Sequence, residues 1–353
     1  MLATMTFDLS FLRELTSAAG TSGFEARPAA VWRAHAEAAG AELATDAYGS
    51  VFATFRPGGK PRVMLAGHID EIGLIVSYVD DNGFLYVRPV GGWDPMQLIG
   101  QRVRVLGHAG DVIGLVGKKA IHLMSADDRR KVPSMDDLWI DIGATSREEA
   151  AARVRAGDTA VIEQPFVELL NGRVASRAID DRIGAYVALE AARRAGGSAE
   201  VVAVATVQEE IGGVGAGAAA FALEPDVAIA IDVTHAIDTP GLEKKLHGDV
   251  TLGGGPVLTA GSYVHRRVME GLRTTAERES IPVSVGVSPR RTATDADHIA
   301  PTRAGTPSAV VSIPNRYMHS PNEIVDLADV ERTIELLAAF IGSLDEDTRF
   351  LHD

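Results

Sequence analysis

The chain has 353 residues, with 34 Lys+Arg against 48 Asp+Glu, a formal charge of −14 and no Cys. At roughly 150 residues per domain, this length predicts about two domains, each with its own core. The acidic balance excludes nucleic acid and anionic membrane as partners, and the lack of Cys excludes disulfides, thiolate metal sites and Cys nucleophiles.

Met1–Leu12 has neither a basic n-region nor a long apolar h-region, so no signal peptide is expected. Apolar runs such as Val201–Val207 fall far short of the ~20 residues of a membrane span, and a soluble cytoplasmic protein is expected. Ser10–Ala18 predicts a short helix, and Pro28–Ala39 an Ala-rich one with Pro in its first turn and Gly40 behind it. Two strands are predicted around Tyr48–Gly49, then a buried strand over Arg62–Ala66. From Gly73 to Gln164 the helical pattern fades. Short β-rich runs replace it at Leu74–Val79, Phe84–Val90, Arg102–Leu106, Val112–Val116 and Thr159–Glu163, with one helical patch at Ser146–Arg155. Asp81-Asn82-Gly83 is hairpin turn chemistry.

Strand and helix then alternate. Helices are predicted over Asp181–Ala195, Val264–Arg278 and Asp329–Ser343, the last with Asp326 as N-cap. Strands are predicted over Val201–Val207, Val227–Ile231, Val283–Val287 and Ala309–Ile313. The simplest architecture is an α/β domain formed by residues 1–72 and 165–353, with a small β-rich domain, 73–164, inserted into it. Alternation with helices argues for a largely parallel sheet covered on both faces.

Ligands of such sheets gather beyond the carboxyl ends of the strands. There the chain offers Gly67-His68-Ile69-Asp70-Glu71, Ile179-Asp180-Asp181, Gln208-Glu209-Glu210, Asp232 and Tyr317-Met318-His319. His68-x-Asp70 shares a face in extended chain, so His68 can ligate a metal while Asp70 holds its other ring nitrogen. A solvated strand-end His is the bland alternative. Glu209-Glu210 reads blandly as a solvated turn. A glycosidase pairing of the two suits adjacent strand residues poorly, because they point to opposite faces. Asp180-Asp181 is either a helix N-cap or a carboxylate able to bridge two metals. With Asp232 and His319 these groups make nitrogen and oxygen spheres suited to Zn²⁺, Co²⁺ or Mn²⁺. Gly213-Val214-Gly215-Ala216-Gly217 fails the dinucleotide-loop spacing, and two Glu precede it. His235 stays an outside candidate. His35, His108, His122, His247, His265, His298 and His352 read as structural.

Taken in order, Gly67-His68-Ile69-Asp70-Glu71-Ile72-Gly73, Ala178-Ile179-Asp180-Asp181-Arg182-Ile183-Gly184, Glu209-Glu210-Ile211-Gly212 and Ile313 to Pro321 resemble the tetrahedral-aminopeptidase family of dinuclear metallopeptidases. That family includes glutamyl and leucyl aminopeptidases and members once described as endoglucanases. The resemblance extends to Thr294-Asp295-Ala296 and Leu138–Gly143, and departs at Ala293, where Gly is expected.

The resemblance implies a phosphorylase/hydrolase-like mixed sheet flanked by helices, with an inserted PDZ-like β-domain used for dimerisation. It further implies dimers assembled into a tetrahedral dodecamer. It implies two divalent ions per subunit, Zn²⁺ with Co²⁺ or Mn²⁺ as alternatives. One ion would be bound by His68, Asp180 and Asp232, the other by Asp180, Glu210 and His319. Asp180 rather than Asp181 would bridge, with a cis peptide bond after it. Glu209 would be the general base for a water shared by the ions, and Asp70 the support of His68. The expected activity is metal-dependent removal of N-terminal residues from short peptides, with neutral aliphatic residues favoured over acidic ones. A glycoside hydrolase and a non-catalytic assembly protein are the alternatives. Lys244, Lys245, Arg290 and Arg291 would favour an acidic substrate only if they line the pocket, and read as surface charge.

Overall fold

Seven consecutive buried residues, Glu200–Thr206, need cover on both faces, and they run through an eight-stranded sheet. The computed structural model describes residues 8–351; Met1–Phe7 and His352-Asp353 lie outside it. Across the sheet the strands are Glu42–Thr45, Val51–Phe55, Glu200–Thr206, Arg62–His68, Val227–His235, Ser308–Asn315, Val257–Gly261 and Ser284–Ser288. The central strands, from Glu200–Thr206 to Ser308–Asn315, are parallel. Val51–Phe55 and Val257–Gly261 join this block antiparallel, so the sheet is mixed rather than largely parallel. The short turn between Glu42–Thr45 and Val51–Phe55 makes these two strands an antiparallel hairpin, since so few residues allow a hairpin but no crossover.

Helix Ile179–Arg194 packs on the sheet with nearly every residue buried. Gly67 permits this contact, because a Cβ there would meet backbone atoms of Gly184 and Ala185 at 2.4 Å. Trp32, fully buried, packs on the same side and donates its indole N–H to the Ala185 carbonyl at 2.9 Å. The main core gathers Phe11, Leu15, Trp32, Tyr186, Ile334 and Phe340 around this layer. Helix Leu327–Gly342 starts at Asp326, whose carboxylate accepts the Ala328 N–H.

Strands Gly73–Val79, Leu85–Val90, Trp139–Asp141, Gly110–Gly117, Arg102–Gly107 and Thr159–Ile162 close into a barrel with a separate core around Val76, Leu85, Val105 and Ile140. The helical patch is shorter than its sequence suggests, Arg147–Ala151, with Ser146 as cap. Trp139–Asp141 was not expected as a strand. Nor was a third sheet of Val167–Glu168, Arg173–Ser176 and Glu323–Asp326, whose strands are too short to carry a period. Val214–Leu223, for which no helix was expected, is a helix. Among the described residues no helix is long and apolar enough to cross a membrane.

Candidate metal centre

Parallel strands ending at one edge bring their last residues together. His68 closes Arg62–His68 and pairs in register with Thr206, two residues before Gln208. Asp232 lies inside Val227–His235 rather than after a strand, because pairing with Ser308–Asn315 continues to His235. Asp180 precedes the regular part of its helix, with a cis peptide bond to Asp181. His319 follows strand Ser308–Asn315 in a loop.

These side chains converge. His68 Nε2 lies 3.3 Å from Asp180 Oδ1, and His319 Nε2 lies 3.3 Å from Asp180 Oδ2. Glu210 Oε1 is 3.2 Å from His319 Nε2, and Glu209 Oε2 is 3.9 Å from His68 Nε2. Two ligand-sized groups result: His68, Asp180 and Glu210, and His68, Asp181 and Asp232, each with its donor atoms within 4.8 Å of one another. Asp181 is otherwise committed to the backbone. Its oxygens accept the His68 N–H at 3.2 Å and the Gly184 N–H at 3.1 Å.

Surrounding groups orient this cluster. His68 Nδ1 faces the Asp70 carbonyl at 3.3 Å and its carboxylate at 3.4 Å, which turns Nε2 towards Asp180. The Asp70 carboxylate also accepts the Ser22 hydroxyl and the backbone N–H groups of Glu209 and Glu210. His319 Nδ1 is 3.1 Å from the Gly92 carbonyl, so a loop leaving the barrel orients the second imidazole. Glu323 accepts the N–H groups of Asp180 and His319. Beneath the site Glu71 accepts from Arg177 and, at 2.8 Å, from Arg182, all three deeply buried.

Electrostatically the cluster holds a surplus of buried carboxylates. Asp180 and Glu210 raise His319 to about 11 against the opposing effect of burial. Burial alone would lower His68, but Asp70, Asp180 and Glu209 hold it well above its ordinary value. Burial would likewise raise Asp180, yet the two histidines keep it far below the usual carboxylate range. Glu209 is pushed up to about 8, first by burial, with His68 opposing and Asp295, Glu210 and Asp70 adding to the rise. Such a balance calls for added positive charge.

Several contributors were not candidates from the sequence. Glu323 could have been noticed from its spacing after His319. Asp295, which accepts the Thr206 hydroxyl, stood in a recognised motif without a role. Gly92 acts only through its carbonyl and carries no sequence signal. Ala293, where Gly was expected, has φ of 55°, the backbone region that favours glycine. His235 is exposed, as are Lys244, Lys245, Arg290 and Arg291. Lys244 pairs with Asp249 and Lys245 with Glu243.

Residues 49–336 match the family described as M42 glutamyl aminopeptidase. The chain is 40% identical over 306 residues to the lysyl aminopeptidase of Pyrococcus furiosus, covering 86% of this chain and 87% of that one. Among solved structures, a TET aminopeptidase from a marine sediment archaeon of the Thaumarchaeota superposes with a TM-score of 0.91, at 37% identity and 96% of both chains. The Pyrococcus horikoshii TET1 peptidase, which can assemble into a tetrahedron or a large octahedral shell, superposes with a TM-score of 0.84, at 31% identity, covering 95% of this chain and 99% of that one. With its histidines and carboxylates gathered at one sheet edge, this chain belongs to the M42 glutamyl aminopeptidase family of peptide hydrolases.

Proposed function

We propose that the protein is a metal-dependent aminopeptidase that removes N-terminal residues from short peptides at a centre for two divalent ions. The observation that carries this reading is Asp180, which turns one carboxylate oxygen to each of two histidines. The donors are imidazole nitrogen and carboxylate oxygen with no thiolate, a set that suits Zn²⁺, Co²⁺ or Mn²⁺. His68, Asp180 and Asp232 would hold one ion, and Asp180, Glu210 and His319 the other. Bound there, divalent ions lower the pKa of water and polarise the scissile carbonyl.

Glu209 is the general base. Its side chain is mostly buried, at 16% exposure, and its Oε2 lies 3.9 Å from His68 Nε2, beside the proposed ligands, where a carboxylate can take a proton from the attacking water. The same carboxyl then returns the proton to the departing amine. Asp70 keeps the His68 proton on Nδ1, leaving Nε2 as the donor atom. The surplus carboxylates favour the cationic amino group of a free peptide N-terminus, which supports exopeptidase action.

Residues 1–72 and 165–353 are proposed as the catalytic domain, and 73–164, the closed barrel, as the dimerisation domain. Dimers would build a tetrahedral dodecamer, a reading supported by the tetrahedral assembly of the P. horikoshii relative, and the proposed location is the cytoplasm. A panel of free and N-acetylated aminoacyl substrates, run on chelated and metal-refilled protein, tests the activity. Cleavage is expected only with metal and only of free amines, and the aliphatic, acidic and basic members report the side-chain preference. Cleavage that survives chelation, or cleavage of acetylated substrates, overturns the reading.

A further inference from the structure

Behind Asp180 and His319 stands a carboxylate that the hydrolytic steps do not use. Glu323 is 3% exposed and opens the strand Glu323–Asp326. Its Oε2 accepts the Asp180 N–H at 2.8 Å, and its Oε1 accepts the His319 N–H at 3.0 Å. One carboxylate therefore holds the backbones of both residues that meet through Asp180 Oδ2 and His319 Nε2.

The small third sheet explains its position. Glu323 pairs in register with Ser176, the last residue of the strand that leads to Asp180. On the other side, Arg316 and Ile324 exchange backbone hydrogen bonds of 3.0 Å, closing the loop that carries His319. Glu323 thus sits where the chain to one ligand departs and the chain from the other arrives. Neither segment is regular there: Ala178 has φ of 54° and His319 has φ of 57°. The strand pairing ends at Ser176 and at Arg316, and beyond those residues the Glu323 carboxylate holds the two segments.

The residue type fits this work. Two converging N–H groups need two acceptors and no donor, which a carboxylate supplies and an amide does not. Burying another acid beside Asp180 and Glu210 is costly, and a neutral side chain would fill the space at lower cost. We propose that Glu323 is a positioning residue that sets the separation of the Asp180 and His319 segments, and through it the geometry of metal binding. This inference rests on the metal centre proposed above.

Glu323→Gln keeps the volume but offers one acceptor, leaving one N–H facing an amide donor. Titration of metal-free protein with Co²⁺ alone, followed by calorimetry and by the Co²⁺ absorption spectrum, separates positioning from packing. The unsubstituted protein is expected to take up two Co²⁺ per chain. Glu323→Gln is expected to keep its far-UV circular dichroism, to bind Co²⁺ about 10–100-fold more weakly, and to show an altered spectrum. A folded Glu323→Gln with unchanged affinity and spectrum overturns the proposal. Should Glu323→Gln fail to fold, Glu323→Asp carries the test, since it keeps both acceptors on a shorter arm. Weaker binding of Co²⁺ than by the unsubstituted protein, with an altered spectrum, supports the proposal, and unchanged affinity with an unchanged spectrum overturns it. No Co²⁺ uptake by the unsubstituted protein removes the metal centre itself and this inference with it.

Discussion

The Asp70 carboxylate lies 3.4 Å from Nδ1 of His68, leaving Nε2 to face Asp180. The same carboxylate accepts the backbone N–H groups of Glu209 and Glu210 at 3.1 and 3.2 Å. Asp70 therefore organises one side of the centre, as Glu323 does the other. Asp70→Asn is expected to weaken metal binding about 10–100-fold, read by calorimetric titration with Zn²⁺. Unchanged affinity would assign Asp70 to packing alone.

Glu209→Gln tests the proton carrier. Turnover is expected to fall by about 10²–10⁴-fold, with the metal content of the purified protein unchanged. Elemental analysis beside a peptide-cleavage assay checks both halves. Loss of metal together with turnover would move Glu209 from base to ligand.

Glu71 pairs one oxygen with each of the buried Arg177 and Arg182. Glu71→Ala strands both cations and is expected to cost about 3–5 kcal/mol in denaturant unfolding. The sign with pH follows from its titration. Burial would raise Glu71, but Arg177 and Arg182 leave its folded value below the ordinary 4.5. Its stabilisation is thus fully present above pH 4.5 and is lost as pH falls through the lowered folded value. The gap between the two proteins should narrow in acid.

Ala293 holds a left-handed backbone with φ of 55°. Ala293→Gly removes a strain of about 1–2 kcal/mol, offset in part by the greater freedom of an unfolded glycine. A net gain of up to about 1 kcal/mol is expected from thermal unfolding. A loss would mean that the Ala293 methyl group contributes packing worth more than the strain.

Much of the centre was legible because its chemistry sits at the ends of strongly apolar runs. Val63–Ala66 and Val201–Ala205 are buried whatever their partners, so the polar residues that follow, His68, Glu209 and Glu210, stood out as candidates. Helix Leu327–Gly342 was legible for the same kind of reason, with an apolar stripe of period near 3.6 and a cap at Asp326. The reach of Val227–His235 was not, because its last residues lean on Ser308–Asn315 rather than on their own hydropathy.

By itself the sequence determined the apolar strands, the capped helices, the β-rich middle and the polar residues placed at strand ends, since each depends on neighbours a few positions away. Tertiary structure alone decided the rest. It set the antiparallel flanks, the closed barrel and the oxygen of Asp180 that each histidine faces. It also brought Glu323 beneath Asp180 and the Gly92 carbonyl against His319, segments 143 and 227 positions apart. Hydrogen bonds between such distant atoms leave no periodic trace along the chain, and only the packed sheet edge brings them within 3 Å or so of each other.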